Sequence, residues 1–156
     1  MGDRRVAASL AEAQRERITT AFLCHSHRDR DLVQGLIALL TRAGWRVYVD
    51  WMDDSMPEKP NRTTADRIKQ RIRDLDYFLF LATSNSITSR WCPWEIGFAD
   101  PHKYPEKLLI IPTVDGLVVH GSEYLELYRK IDFRKDGTVA AFDPGSFYGT
   151  DLRNLS

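Results

Sequence analysis

Trp91 and Glu95, within Trp91-Cys92-Pro93-Trp94-Glu95, stand at i and i+4. On a helix they share one face, so an indole and a carboxylate would line one pocket. The plainer alternative makes Glu95 a first-turn acid that complements the helix dipole, with Trp91 and Trp94 as packing residues. Other candidates for chemistry have less behind them. His25 and His27 could project together from an extended segment as metal ligands, but no third ligand has recognisable spacing, and a hydrogen-bonded loop histidine fits better. Cys24 reads as a small buried core residue, and Cys92 would need a base that the sequence does not reveal before it could act as a nucleophile. No C-x-x-C, G-x-G-x-x-G or Walker pattern occurs.

The surrounding elements decide between these roles. Thr20-Ala21-Phe22-Leu23-Cys24 is a short apolar run, as expected of a strand buried on both faces. Ser26 and Asp29 have capping-box spacing, and a helix should follow with Leu32, Leu36, Leu39, Leu40 and Ala43 as its apolar stripe, stopped by Gly44. Trp45 to Val49 is a second strand. From Asp50 to Thr63 the pattern dissolves into a long loop, a kind that is usually functional in compact domains. Thr63 with Asp66 resembles a further cap. The next helix buries Ala65, Ile68, Ile72 and Leu75 and turns Arg67, Lys69, Arg71 and Arg73 outward as a solvated face.

Tyr77 to Ala82 is the most apolar run and the best candidate for the sheet centre. Pro93 is tolerated only in a first turn, so a helix should start near Ser89 or Arg90 and run through Glu95 to Ala99. Leu108 to Ile111 predicts a fourth strand stopped by Pro112, Tyr124 to Tyr128 one or two helical turns, and Lys130 to Phe133 a short fifth strand at an edge. Strands alternating with amphipathic helices demand parallel pairing through right-handed crossovers, which is an α/β doubly wound sheet. Such sheets bind ligands outside the carboxyl ends of their strands. The polar end of the central strand, with Ser84, would then meet Trp91, Glu95 and the long second loop, which favours a functional carboxylate.

The chain has 156 residues, the size of one domain, and its 22 basic residues balance its 22 acidic ones. No long-range field therefore favours nucleic acid or an anionic membrane. Residues 1–17 read as a polar helix or linker, and residues 18–156 as the domain. No apolar run resembles a signal peptide or a membrane span, and two isolated cysteines suit a reducing, cytoplasmic setting.

Together, Ala21-Phe22-Leu23-Cys24-His25-Ser26, Tyr48-Val49-Asp50, Tyr77 to Ser86 and above all Ser89-Arg90-Trp91-Cys92-Pro93-Trp94-Glu95 resemble the Toll/interleukin receptor (TIR) domain family, most closely its bacterial members. The resemblance implies a flavodoxin-like fold with a central parallel sheet of about five strands flanked by helices. In catalytic members the residues matching Trp91 and Glu95 belong to a site that cleaves the nicotinamide–ribose bond of NAD+. By position, His25 and Ser84 should border the nucleotide, although His25 departs from the aromatic residue common there. The loop from Trp51 to Pro60 matches a segment that often contributes to head-to-tail TIR–TIR assembly. The family's usual long closing helix is not evident, because residues 137–156 contain Pro144 and three glycines.

That chemistry suits the residues present. Nicotinamide leaves a pyridinium as a neutral molecule, so no general acid is needed and one carboxylate is enough. Glu95 would hold the ribose hydroxyls and stabilise oxocarbenium charge, while Trp91, or secondarily Trp51, stacks on the pyridinium. NAD+ is then a substrate, with no cofactor or metal implied. Water would capture the ribosyl cation to give ADP-ribose, and an internal nucleophile would give a cyclic isomer. The resemblance further implies Thoeris-like antiviral signalling through a downstream effector that senses the product. The rival reading is a non-catalytic TIR–TIR adaptor. A phosphorylated receiver domain would need an aspartate where the third strand ends in Leu81-Ala82-Thr83-Ser84, and Asp53 and Asp54 follow the second strand instead.

Overall fold

The computed structural model describes residues 2–50 and 61–155, with side chains from residue 8 onward. Trp51 and the loop from Trp51 to Pro60 lie outside the described residues. The strands are β1 (Thr19–Cys24), β2 (Trp45–Tyr48), β3 (Tyr77–Ala82), β4 (Leu108–Asp115), β5 (Val118–His120), β6 (Arg129–Phe133), β7 (Val139–Phe142) and β8 (Gly149–Asp151). The helices are α1 (Gly2–Arg15), α2 (Arg30–Arg42), α3 (Arg62–Asp74), α4 (Ser84–Ile87) and α5 (Trp91–His102). Strand order is β2-β1-β3-β4-β6-β7-β8, with β5 paired to β4. Pairing is parallel from β2 through β6 and antiparallel thereafter. The expected parallel sheet is thus present, and β3, buried at every position, lies in the middle of its parallel part.

Alternation along the central strands divides the core. Phe22, Cys24, Phe78 and Phe80 face Ile68 and Ile72 of α3 and Cys92, Ile96 and Ala99 of α5. Ala21, Leu23, Leu79 and Leu81 face Val33 and Leu40 of α2. The expected stripe of α2 does not hold at Leu32. Leu32 is 48 % exposed, and the inward face consists of Val33, Leu36, Ile37 and Leu40. The helix starts at Arg30 after a 3-10 turn at His27–Asp29 and meets the sheet through Val33 and Leu40 at i and i+7, which turns Leu32, about 100° round the helix from Val33, toward solvent. Likewise α3 is capped by Asn61, whose Oδ1 accepts from the Thr64 amide at 2.9 Å, and not by Thr63.

β4 runs past Pro112, which pairs with Ala82 at the end of β3, where a missing ladder donor costs little. The Tyr128 amide donates to the Tyr124 carbonyl at 3.0 Å, so the expected stretch makes one helical turn, and residues 122–124 form a 3-10 turn. It starts at Gly121, where φ is +87° and a Cβ would lie 2.6 Å from that of Ala82, so only glycine fits. β6 is not an edge strand, because β7 and β8 extend the sheet beyond it. The chain then returns across the α2 side, burying Leu152 and accepting a 2.9 Å hydrogen bond from the Trp45 indole at the Leu152 carbonyl.

The two leucines of α2 give a direct check. Leu40→Ala should lower stability by about 2–5 kcal/mol by leaving a cavity. Leu32→Ser should change it by about 0.5 kcal/mol or less. Urea unfolding of both variants would measure the difference.

Candidate active site

In this sheet β1 and β3 are neighbours whose following segments leave toward opposite layers, which opens a crevice at their carboxyl ends. A cleft of about 340 Å³ occupies that place. Its walls are His25 to Arg28 after β1, Asp50 after β2, Asn85, Thr88 and Ser89 after β3, and Trp91 and Glu95 on α5. The i, i+4 pair therefore does share one pocket.

Hydrogen bonds between loops set the width of the cleft. Asp29 does not cap α2. It accepts from Thr83 Oγ1 at 2.5 Å and from Asn85 Nδ2 at 2.7 Å, tying the β1 and β3 loops together. Thr83 and Ser86 form a reciprocal capping box on α4, and Ser86 Oγ also donates to the Leu81 carbonyl at 2.6 Å. Ser89 Oγ accepts from the amides of Trp91 and Cys92 at 3.2 and 3.4 Å, which satisfies the first turn of α5 and fixes its start. Pro93 lies in that turn, where no amide is required.

Glu95 is 2 % exposed. Burial pushes its carboxyl well above the usual 4.5, the negative charge of Asp50 pushes the same way, as does Cys92, and a hydrogen bond from the Cys24 thiol opposes them. Without a cation beside it, Glu95 therefore holds its proton well above the ordinary carboxylic range. Cys24 and Cys92 pack behind it, both buried, and Cys24 Sγ lies 3.8 Å from the Cys92 carbonyl oxygen. Burial raises the Cys24 thiol well above 9.0, whereas the hydrogen bond with Cys24 is the chief cause that lowers Cys92.

His25 lies at the cleft with its side chain fully buried. Nδ1 is 3.0 Å from the Ser26 carbonyl, which can only accept, so Nδ1 bears a proton. Nε2 is 3.2 Å from Asp50 Oδ1. Burial alone would lower the His25 pKa, but Asp50 and the Ser26 carbonyl together raise it above 6.5, favouring an imidazolium between two oxygens. Ser84 is exposed at the start of α4 and does not line the cleft; its neighbour Asn85 does. Asp50 and Asp29 were not foreseen as site residues. A carboxylate just past the carboxyl end of a buried strand is the signal that could have singled out Asp50.

The aromatic side of α5 continues away from the cleft. Trp91 and Trp94 pack edge to face at 5.3 Å and 76°, and Trp94 stacks on Phe98 at 6.3 Å. Lys69 and Arg73 of α3 lie over these rings and Arg71 over Tyr48, so much of the basic side of α3 covers aromatic surface and is not simply solvated.

The TIR domain family matches residues 21–144. A probable 3' cyclic ADP-D-ribose synthase of Bacillus cereus, ThsB', is 33 % identical over 119 residues, which is 73 % of this chain and 61 % of that protein. A candidate cyclic ADP-D-ribose synthase of Cytobacillus dafuensis, TIR2, is 26 % identical over 89 residues, covering 55 % of this chain and 24 % of that protein. The chain thus spans about three fifths and one quarter of these relatives. Among the described residues, no helix is long and apolar enough to cross a membrane.

The burial of Glu95 has a measurable sign. The unfolded chain ionises this group near 4.5 and the folded chain only at higher pH, so its contribution to stability declines as pH rises above 4.5. Glu95→Gln removes that loss. Its melting temperature should exceed that of the wild type near pH 7.5, and the gain should shrink as pH falls toward 4.5 in a thermal melt series.

Proposed function

Because the chain belongs to the TIR domain family, we propose that it is an NAD+ nucleosidase and ADP-ribosyl cyclase whose catalytic residue is Glu95. The observation behind this reading is the cleft at the β1–β3 crevice, where an indole and a buried carboxyl line one wall. The two relatives named for cyclic ADP-ribose synthesis support the substrate class. NAD+ is consumed here as a substrate.

The chemistry follows from charge. The free carboxyl resists ionisation because it is buried beside Asp50; a pyridinium-bearing ribose next to it supplies the missing cation, so substrate binding favours the carboxylate. As the C–N bond breaks, positive charge moves from the ring to the ribose, toward Glu95, and the acid stabilises the oxocarbenium more than the ground state. Trp91 stacks on the pyridinium and is worth about 1–2 kcal/mol when water is excluded. Arg28, on the cleft wall, supplies positive charge for the diphosphate. His25, buried at the wall of the cleft with Nε2 3.2 Å from Asp50, holds that acid in place and borders the nucleotide. Ser84, exposed outside the cleft, has no contact in this scheme, and Trp51 remains a candidate second stacking residue.

On this reading the protein works in the cytoplasm, in bacterial antiviral signalling of the Thoeris type. It associates with other copies through TIR–TIR contacts, and its product is sensed by an effector.

Chromatography of products after incubation of concentrated protein with NAD+ is the test. Nicotinamide release should be abolished by Glu95→Ala, and Trp91→Ala should raise KM about tenfold with a loss of rate. Release that persists in Glu95→Ala sinks the assignment, and absence of release from the wild type at every concentration favours the assembly module. The pH profile has a defined direction. kcat/KM should rise with pH along a limb above the usual carboxyl range, and Asp50→Asn, by removing a charge that opposes ionisation of Glu95, should move that limb to lower pH.

A further inference from the structure

A second cleft, of about 300 Å³, shares Trp91 with the first and is otherwise lined by Asn61, Arg62, Ala65, Arg90 and Trp94. Its charge is of one sign, whereas its neighbour's is mixed. The first cleft carries two acids, Asp50 and Glu95, together with Arg28 and two histidines, whereas the second has, among the described residues, two arginines and no acid. We propose that this second cleft holds the adenosine-phosphate half of the same NAD+ molecule and so directs the ribosyl cation toward internal capture. The inference rests on the catalytic reading above.

Three features select this ligand. Trp94 is 37 % exposed although it packs on Trp91 and Phe98 and has Lys69 Nζ 5.9 Å from its ring centroid, so ring surface is still left for a flat partner. An indole suits any purine face, and such stacking is worth about 1–3 kcal/mol per base. Arg62 and Arg90 are both exposed, and among the described residues no carboxylate pairs with either. Planar guanidinium groups match phosphate oxygens two at a time. Asn61 commits its Oδ1 to the Thr64 amide and hydroxyl at 2.9 Å each, so what it offers a ligand is its amide nitrogen, a donor for a ring nitrogen of adenine.

Sharing Trp91 links the two halves of the reaction. With nicotinamide ribose at Glu95 and adenosine in the adjoining cleft, the dinucleotide bends around one indole. The adenosine ribose hydroxyls are then held close to the reacting carbon, which gives them the advantage of an intramolecular nucleophile over water. The C–N bond breaks with both electrons leaving on nicotinamide. A ribose hydroxyl oxygen forms the new C–O bond at the same carbon and releases its proton to solvent. NAD+ thus gives nicotinamide, a cyclic ADP-ribose isomer and one proton, whereas capture of water gives linear ADP-ribose and one proton.

The experiment compares wild type with Trp94→Ala and Arg90→Gln, reading the ratio of cyclic to linear product by chromatography and the affinity for AMP by calorimetry. Both residues are exposed, so the fold should tolerate the changes. The wild type should make the cyclic isomer, and each variant should lower the cyclic-to-linear ratio and weaken AMP binding by about tenfold. NAD+ should displace AMP from Glu95→Gln protein, which separates a subsite for the substrate's own adenosine from a site for a free nucleotide. An unchanged ratio, an unchanged AMP affinity, linear product alone from the wild type, or AMP bound alongside NAD+ without competition would each overturn the proposal. If NAD+ is not turned over at all, the catalytic reading fails, and the dependence of AMP binding on Trp94 and Arg90 then decides whether the nucleotide subsite stands.

Discussion

Parallel pairing of β1 with β3, in the register Cys24 with Phe80, is the constraint on which the rest of the structure depends. Both strands are buried on both faces, so neither can move without exposing the two cores together. A parallel pair cannot be closed by a tight turn, and its connections must cross through helices. The segments leaving β1 and β3 diverge as a result, and the opening between them is the cleft. Asp29 then bridges the gap, accepting from Thr83 and Asn85. The site is thus a by-product of strand order, trimmed by one carboxylate.

Within this frame Glu95 is a local liability. Its carboxyl is buried against Cys24 and Cys92, near Asp50, and ionising it there opposes folding. A structural acid at the start of a helix would gain from exposure to solvent and from the dipole, and neither describes this group. A buried carboxyl without a cationic partner among the described residues is better understood as a site prepared for a cation, since a ligand that brings positive charge removes the penalty. His25 is treated in the opposite way. Its charge is supported by two oxygen neighbours, and the ring is locked in place.

The aromatic row of α5 joins packing to binding. Trp91, Trp94 and Phe98 follow one another at three- and four-residue spacing, which places them on one side of the helix. Lys69 lies over Trp94 and Phe98 and Arg73 over Phe98, while Trp91 and Trp94 also meet the two clefts. At the other end of the sheet, β7, β8 and the turn at Leu152–Asn154 follow β6, and Trp45 reaches across to the Leu152 carbonyl to hold that segment on the α2 face.

Strand runs, the start of α5 and the shared face of Trp91 and Glu95 were legible in local pattern, because alternation, helical spacing and the chemistry of proline act over a few residues. The same range explains the misreadings. Leu32 fitted the stripe of α2, but the helix meets the sheet through Val33 and Leu40; Pro112 looked like a stop, but the neighbouring strand ended beside it. The partners of Asp29 lie 54 and 56 positions along the chain, and the Trp45 indole meets a carbonyl 107 positions away. The burial of Glu95, the clamp on His25 and the second cleft beside Trp91 likewise depend on which loops the sheet brings together. Contacts of that kind arise from strand order and packing, which no window of neighbouring residues encodes.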